Sequence, residues 1–191
     1  MKNDIEIFLS RFLKLPKNLV VAFEELLTYT ELEPFEFFTK INERPTDFII
    51  IKTGLIRSYI ETEDGKEITR HLFTPISLSC SLSTMVREIP ATVNYQALTK
   101  VTGYRGNFYK FKELALKHHE LSLLYVKMLE DTYLEAESII LTLSAYDATE
   151  RYLRLKKRIP DIDNLIAQKY IASYLNVSPV QLSRIKKSLL K

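Results

Sequence analysis

A single cysteine, Cys80, is present in 191 residues, so no intramolecular disulfide can form. One thiol cannot hold an iron–sulfur cluster either, which takes about four. The lone thiol fits a reducing compartment, and a cytoplasmic protein is expected, with Cys80 acting as a small buried apolar residue rather than a redox group. No apolar run approaches the ~18 residues that a membrane helix needs. The start, MKNDIEIFLSRF, has acids inside its apolar stretch and no small-residue cleavage site, which argues against a secretory leader. Glycine is scarce, at four residues, and each is expected to mark a turn. There is no Gly-rich phosphate loop, nucleophile elbow or Ser/His/Asp arrangement, so no enzyme is expected. The three histidines do not make a metal set: His71 stands alone, and His118 and His119 are neighbours expected on a helix, where they point about 100° apart. No metal and no cofactor are expected.

What is present is a substantial core, with 46% hydrophobic and 27% charged residues, in a length that suits one medium domain plus a small one. The formal net charge of +3 hides a division. From Ala148 onward ten Lys or Arg face three acids, for +7; the preceding part holds 17 basic and 21 acidic residues, for −4. A basic end on an acidic body fits phosphate contact by that end alone.

Four textures follow along the chain. Residues 3–33 read as helical, with Ile5, Phe8, Leu9 and Phe12 on one face and a restart at Pro16 carrying Leu19, Val20, Phe23, Leu26 and Leu27. From Pro34 to about Tyr109 short runs of Ile, Val, Phe, Tyr and Thr alternate with turn signals, the texture of a small β domain. Asp47–Gly54 reads as a buried strand ending in a turn, Leu55–Glu61 continues it, and Asp64-Gly65 is a type I′ hairpin signal before Lys66–Phe73 returns. Thr92–Val101 alternates weakly. Phe111–Ala145 has helical period with no Pro or Gly, and Asp147 is placed to cap a helix running to Arg158.

The segment Ile166–Lys191, IAQKYIASYLNVSPVQLSRIKKSLLK, reads as two helices and a tight turn. Ile166, Tyr170, Ile171, Tyr174 and Leu175 keep helical spacing; small Ala172 suits a close helix crossing. Asn176 tolerates the left-handed conformation of such a turn, and Ser178-Pro179 restarts the helix as N-cap and first residue. The second helix is expected to bury Leu182, Ile185 and Leu189 and to leave Gln181, Arg184, Lys186 and Lys187 on other faces. A short capped helix with amide and guanidinium groups near its start can reach base edges in a major groove. Gln168, Lys169, Ser178, Pro179, Val180, Gln181, Arg184 and Lys187 are the candidate DNA contacts. In the long helix, Leu121, Tyr125, Met128, Thr132, Ile139 and Leu143 form an approximate heptad seam, expected to pair two copies across a two-fold axis.

This order resembles the Crp/Fnr family of bacterial transcription regulators over essentially the whole chain. FIIIKTGLIRSYIETEDGKEITRHLF resembles the family's β-roll hairpin. DATERYLRLKKRIPDI resembles the helix leading into the DNA-binding module of Bacteroidetes-type members. IASYLNVSPVQLSRIKKSL resembles its helix-turn-helix, with Ser178, Leu182, Arg184 and Ile185 at the matching positions. The resemblance implies an α+β fold of N-terminal helices, an antiparallel, jelly-roll-like β-roll, a long dimerisation helix and a C-terminal helix-turn-helix. Residues 1–145 would be the cyclic-nucleotide-binding-like sensor and 146–191 the DNA-binding domain. It further implies that Ser178 contacts phosphate, that Arg184 reads a base, commonly guanine, and that Pro179, Val180 and Gln181 face the groove. The implied partners are double-stranded DNA with a palindromic operator, a second copy of the chain and RNA polymerase, with no membrane.

The chain departs from the family pattern in three places. Many relatives carry Glu where Val180 stands; Val cannot accept from cytosine but can touch a thymine methyl, so a different half-site is expected. The recognition helix is followed at once by Lys191, and no β-wing is expected. Members that bind cyclic nucleotide use Gly-Glu for the ribose and Arg followed by Ser or Thr for the phosphate; Ser79-Cys80 and Ala91-Thr92 stand there instead, with Arg87 nearby on an expected loop. Control by cyclic AMP is therefore not expected, and the effector is unknown. The alternative is a small-molecule-binding or cupin-like β-roll protein whose C-terminal helices serve assembly alone.

Overall fold

The computed structural model describes residues 2–190. Lys191, counted above in the basic segment, lies outside them. Two short helices, α1 (Lys2–Ser10) and α2 (Lys17–Glu24), open the chain. Eight strands follow among the described residues: β1 (Leu27–Leu32), β2 (Phe37–Thr39), β3 (Asp47–Thr53), β4 (Ile56–Glu61), β5 (Glu67–Phe73), β6 (Leu78–Ser79), β7 (Asn94–Ala97) and β8 (Val101–Asn107), with α3 (Leu82–Arg87) between β6 and β7. They form two antiparallel four-stranded sheets, ordered β1-β8-β3-β6 and β2-β7-β4-β5. Ile49, Ile51, Ile56, Ala97 and Val101, all almost wholly buried, fill the space between the sheets. This is the expected α+β architecture with an antiparallel β-roll.

The helical reading of residues 3–33 fails after Glu24. Thr28, Tyr29 and Thr30 are stiff or bulky at Cβ, and Leu27–Leu32 pairs residue by residue with Gly106–Val101 of β8, so tertiary pairing decides the segment. The hairpin at Asp64-Gly65 stands, but its turn is not type I′: Gly65 has positive φ and Asp64 does not. Gly65 N–H donates to Thr62 O, and Thr62 N–H to Lys66 O, which closes a longer loop around a type I turn with a left-handed glycine. Gly54 also occupies a turn, at φ +89°, with the Lys100 carbonyl where a Cβ would go. Gly103 and Gly106 are not at turns. They lie inside β8, where a Cβ would strike the Ile50 carbonyl or the Phe48 ring.

The helix expected over Phe111–Ala145 is two helices, α4 (Phe108–Lys117) and α5 (His119–Ala145). Asn107 caps α4 through its side-chain oxygen, which accepts from Tyr109 N and Lys110 N. His118 is extended at the junction, so it and His119 are not helical neighbours. Leu121 and Leu124 of α5 join Phe8, Phe23, Phe108 and Phe111 in a core that closes one end of the roll. Beyond this first part α5 leaves the core and its side chains are largely exposed.

The chain ends in α6 (Ala148–Arg158), α7 (Ile162–Leu165), α8 (Gln168–Tyr174) and α9 (Pro179–Ser188). Asp147 caps α6 as expected, in a full capping box with Glu150. Tyr152, Leu155, Ile162, Ile171, Leu175 and Leu182 make the core of this module, and Leu55, Leu72 and Leu98 of the β-roll belong to the same cluster. Leu189, expected to be buried, is 43% exposed. It is the C-cap of α9, past the last turn that faces α8.

Candidate nucleic-acid interface

The α8–α9 pair is assembled from local rules. Asn176 takes φ +52°, and its neighbour Val177 donates its N–H to the Ala172 carbonyl across the end of α8. Ala172 is 1% exposed at the helix crossing. Ser178 Oγ accepts from Gln181 N at 3.1 Å, and Pro179 occupies the first turn, so α9 starts with its orphan donors partly satisfied. Leu182 and Ile185 hold α9 down by its inner face.

All eight candidate contacts, Gln168 and Lys169 at the start of α8 and Ser178, Pro179, Val180, Gln181, Arg184 and Lys187 on or before α9, are exposed. Val180 is 62% exposed, an apolar side chain held at the mouth of α9 with nothing on it. Ser178 spends an oxygen lone pair on the cap and keeps its hydroxyl proton for an outside acceptor. Gln168 is partly engaged, since its Nε2 donates to Pro179 O at 3.0 Å and ties the two helix starts together.

Lys186 is not available. Its Nζ lies 2.7 Å from Asp163 Oδ1, while Asp163 Oδ2 receives Lys156 at 3.1 Å and the Tyr152 hydroxyl at 2.7 Å. Burial at Asp163 opposes its charge, but the hydrogen bonds from Lys186, Tyr152 and Lys156 outweigh it and hold the carboxyl below its usual range. For Tyr152, burial and then the Asp163 hydrogen bond push the phenol well above its ordinary value. This hub fastens α6, α7 and α9 together. Nothing in the sequence pattern marked Asp163 for it.

A cavity of about 470 Å³ lies between the β-roll and α5. Of the five residues expected at an effector pocket, Cys80 alone lines it. Ser79 is wholly buried in β6 with its Oγ unbonded, and Ala91 is buried in a loop whose backbone bonds Asn42 and Glu43. Arg87 and Thr92 are exposed, Arg87 in the last turn of α3, not on a loop. The polar groups that do reach the cavity were missed: Arg70 and His71 of β5 and Glu135 of α5. His71 Nε2 lies 3.2 Å from Glu135 Oε1, joining strand to helix. The His71 hydrogen bond holds the Glu135 carboxyl below its usual value against the effect of burial. Around Cys80, burial pushes the thiol up to about 12, so it is no thiolate nucleophile at neutral pH.

The expected helix seam divides between core and cavities. Leu121 is wholly buried, and Tyr125 and Met128 pack on the same core of their own chain. Thr132 and Ile139 face the cavity, and Ile139 with Leu143 also borders a second cavity. The chain's own core takes the first part of the seam, while Thr132 and Leu143 stay exposed. A second exposed stripe runs beside it, with Tyr133 68%, Leu134 60% and Leu141 57% exposed.

Among the described residues no cluster of three or more His, Cys, Asp or Glu could hold a metal ion, and no helix is long and apolar enough to cross a membrane. No family sequence model and no curated protein matches the chain. Solved structures do match. A protein from Eubacterium rectale assigned to the Crp/Fnr family of transcriptional regulators is 15% identical, covers 92% of this chain and 84% of its own, and superposes with a TM-score of 0.73. FixK2 from Bradyrhizobium japonicum is 18% identical over 85% of this chain and 84% of its own, with a TM-score of 0.71. CLP from Xanthomonas campestris, described as a c-di-GMP-responsive global regulator, is 12% identical over 92% of both chains, with a TM-score of 0.69. At these identities the likeness is one of fold: the chain has the fold of the Crp/Fnr regulators.

Proposed function

We propose that the chain is a homodimeric, sequence-specific DNA-binding regulator of the Crp/Fnr type, acting in the cytoplasm without cyclic AMP. The observation that carries this reading is α9 itself. It is capped at Ser178, held down by Leu182 and Ile185, and presents Val180, Gln181, Arg184 and Lys187 on its open side. An αα-hairpin serving assembly alone would cover such a face or mix its charges; this one sits in a segment of net charge +7. Residues 146–191 are then the DNA-binding part and 1–145 the body that pairs and positions it. RNA polymerase is the candidate protein partner.

Cyclic AMP independence rests on what stands near the roll's cavity. No Arg replaces the buried Ala91, and the exposed Arg87 does not border the cavity; the one guanidinium that does among the described residues, Arg70 of β5, is exposed and shared with a second cavity. Burying a cyclic phosphate without a dedicated counter-charge costs several kcal/mol. The walls supplied by Phe73, Leu78, Tyr95, Met128 and Ile139 suit an apolar effector, which would touch β5 and α5 together and so bias the helix that carries the DNA-binding part.

The test is a gel-shift titration on a palindromic operator selected from random sequence, with half-site centres about 34 Å apart. Arg184→Ala is expected to cost about 1–3 kcal/mol on the selected site and to relax specificity at one base pair, while Lys187→Ala weakens all sequences equally and flattens the salt slope. Unchanged affinity of Arg184→Ala for the selected operator would overturn the assignment of α9.

A further inference from the structure

The second cavity has chemistry of its own. It encloses about 520 Å³ between β5, the C-terminal half of α5, α6 and α8, where body and C-terminal module meet. Four guanidinium side chains line it: Arg70 from β5 and Arg151, Arg154 and Arg158 from successive turns of α6. Among the described residues Glu135 is the single carboxylate in its wall, and it already bonds His71. Among the described residues none of the four arginines forms an ion pair with an acid. Four cations at one concavity repel one another, and an anion bound among them would relieve that repulsion.

Two further observations point the same way. Arg151 and Thr69 line the cavity, and Arg151 Nε and Thr69 Oγ1 are buried without any hydrogen-bond partner. A buried donor left unsatisfied is uncommon and calls for a partner. The guanidiniums are also held in place: Arg151 Nη1 donates to Tyr146 O at 2.8 Å, Arg154 stacks 3.6 Å from the Tyr146 ring centre, and Arg158 lies 5.3 Å from that of Tyr174. Ile139, Leu143 and Leu155 supply an apolar wall beside them.

We propose that this cavity binds a small organic phosphate with at least two anionic groups, of nucleotide size. Guanidiniums arriving from a strand and from a helix approach from different sides, which suits the several acceptor oxygens of phosphate groups better than one planar carboxylate. The apolar wall takes the organic part, and the volume falls in the ordinary range for such ligands. The site is separate from α9, so the proposal does not rest on the DNA-binding reading, although a ligand here would set the angle between α5 and the C-terminal module.

Isothermal titration of the full chain without DNA tests it, with inorganic pyrophosphate, guanosine 5′-diphosphate and guanosine as probes. Saturable binding is expected for pyrophosphate and tighter binding for the diphosphate, with none for guanosine. Arg154→Gln with Arg158→Gln, both exposed and so tolerated by the fold, is expected to lower pyrophosphate affinity at least about tenfold. Glu135→Gln, which removes the one opposing charge, is expected to raise it about threefold. No saturable pyrophosphate binding up to about 1 mM overturns the proposal, as does guanosine binding as well as its diphosphate. So does a double variant that loses DNA affinity in gel shifts while binding pyrophosphate unchanged, because these arginines would then serve the DNA backbone.

Discussion

The guanidinium of Arg57 in β4 lies 4.4 Å from the ring centre of Tyr170 in α8. On its other side the Tyr59 ring is 3.8 Å away. Arg57 is 1% exposed, and its nitrogens reach Gln96 Oε1 at 2.7 and 3.1 Å and Glu67 Oε2 at 2.7 Å. A charge of the β-roll is thus buried beneath the C-terminal module. The Ser173 hydroxyl adds a second tie there, donating to Glu67 O at 2.8 Å and accepting from Thr69 N at 2.9 Å.

Removing the lid over this cation should loosen the module without unfolding the roll. Tyr170→Ala deletes the ring from the module core and uncovers Arg57, at a cost of about 3–5 kcal/mol. Tyr170→Phe keeps the ring and should change little. The measurement is chymotrypsin cleavage after Tyr146, in the extended link between α5 and α6. Cleavage should accelerate in Tyr170→Ala and not in Tyr170→Phe; equal rates in all three proteins would show that the module is held elsewhere.

The Asp163 hub should make the module acid-sensitive. Its carboxyl titrates below the ordinary 3.8 in the folded chain, so its stabilisation is in full force above that value and fades as pH falls through the lower, folded one. Asp163→Asn leaves Lys156 and Lys186 without their anion and should cost about 1–3 kcal/mol near neutral pH. The cost should shrink as pH drops toward about 3. Thermal melts of both proteins between about pH 3 and pH 6 would check this; curves that stay parallel across the acid limb would remove Asp163 from the account.

The parts of the fold legible in the sequence were those set by near neighbours. Asp147 with Glu150, Ser178 with Pro179, and Asn176 each announce a cap or turn whose physics spans a few residues, and each sits in the structure as its chemistry demands. The exposed face of α9 follows from the same periodicity. What failed to show depends on partners far along the chain. Leu27–Leu32 becomes a strand because β8 lies beside it. His71 meets Glu135, and Arg57 meets Tyr170, across separations that no local spacing encodes. The heptad of α5 is legible as a pattern, but periodicity does not say which neighbour covers it: the chain's own core takes Leu121, Tyr125 and Met128, while Thr132 and Leu143 stay exposed.

The exposed stripe beside the seam offers a second candidate for a dimer contact, and the two can be told apart directly. Leu134 and Leu141 stand one heptad apart on α5, with Tyr133 beside them, and line neither cavity. In a two-fold dimer this stripe would meet its own copy, so Leu134→Lys with Leu141→Lys places like charges opposite each other. Light scattering should report a monomer whose circular dichroism is unchanged, because neither side chain supports the monomer's core. DNA affinity should fall by about 10²-fold or more as the linked second half-site is lost. Met128→Lys should behave differently. It puts a charge against the phenylalanine-rich core at the end of the roll, so stability should fall by about 2–5 kcal/mol before assembly is affected. A double variant that remains dimeric, or a Met128→Lys protein that is stable and monomeric, would place the interface on the heptad seam instead.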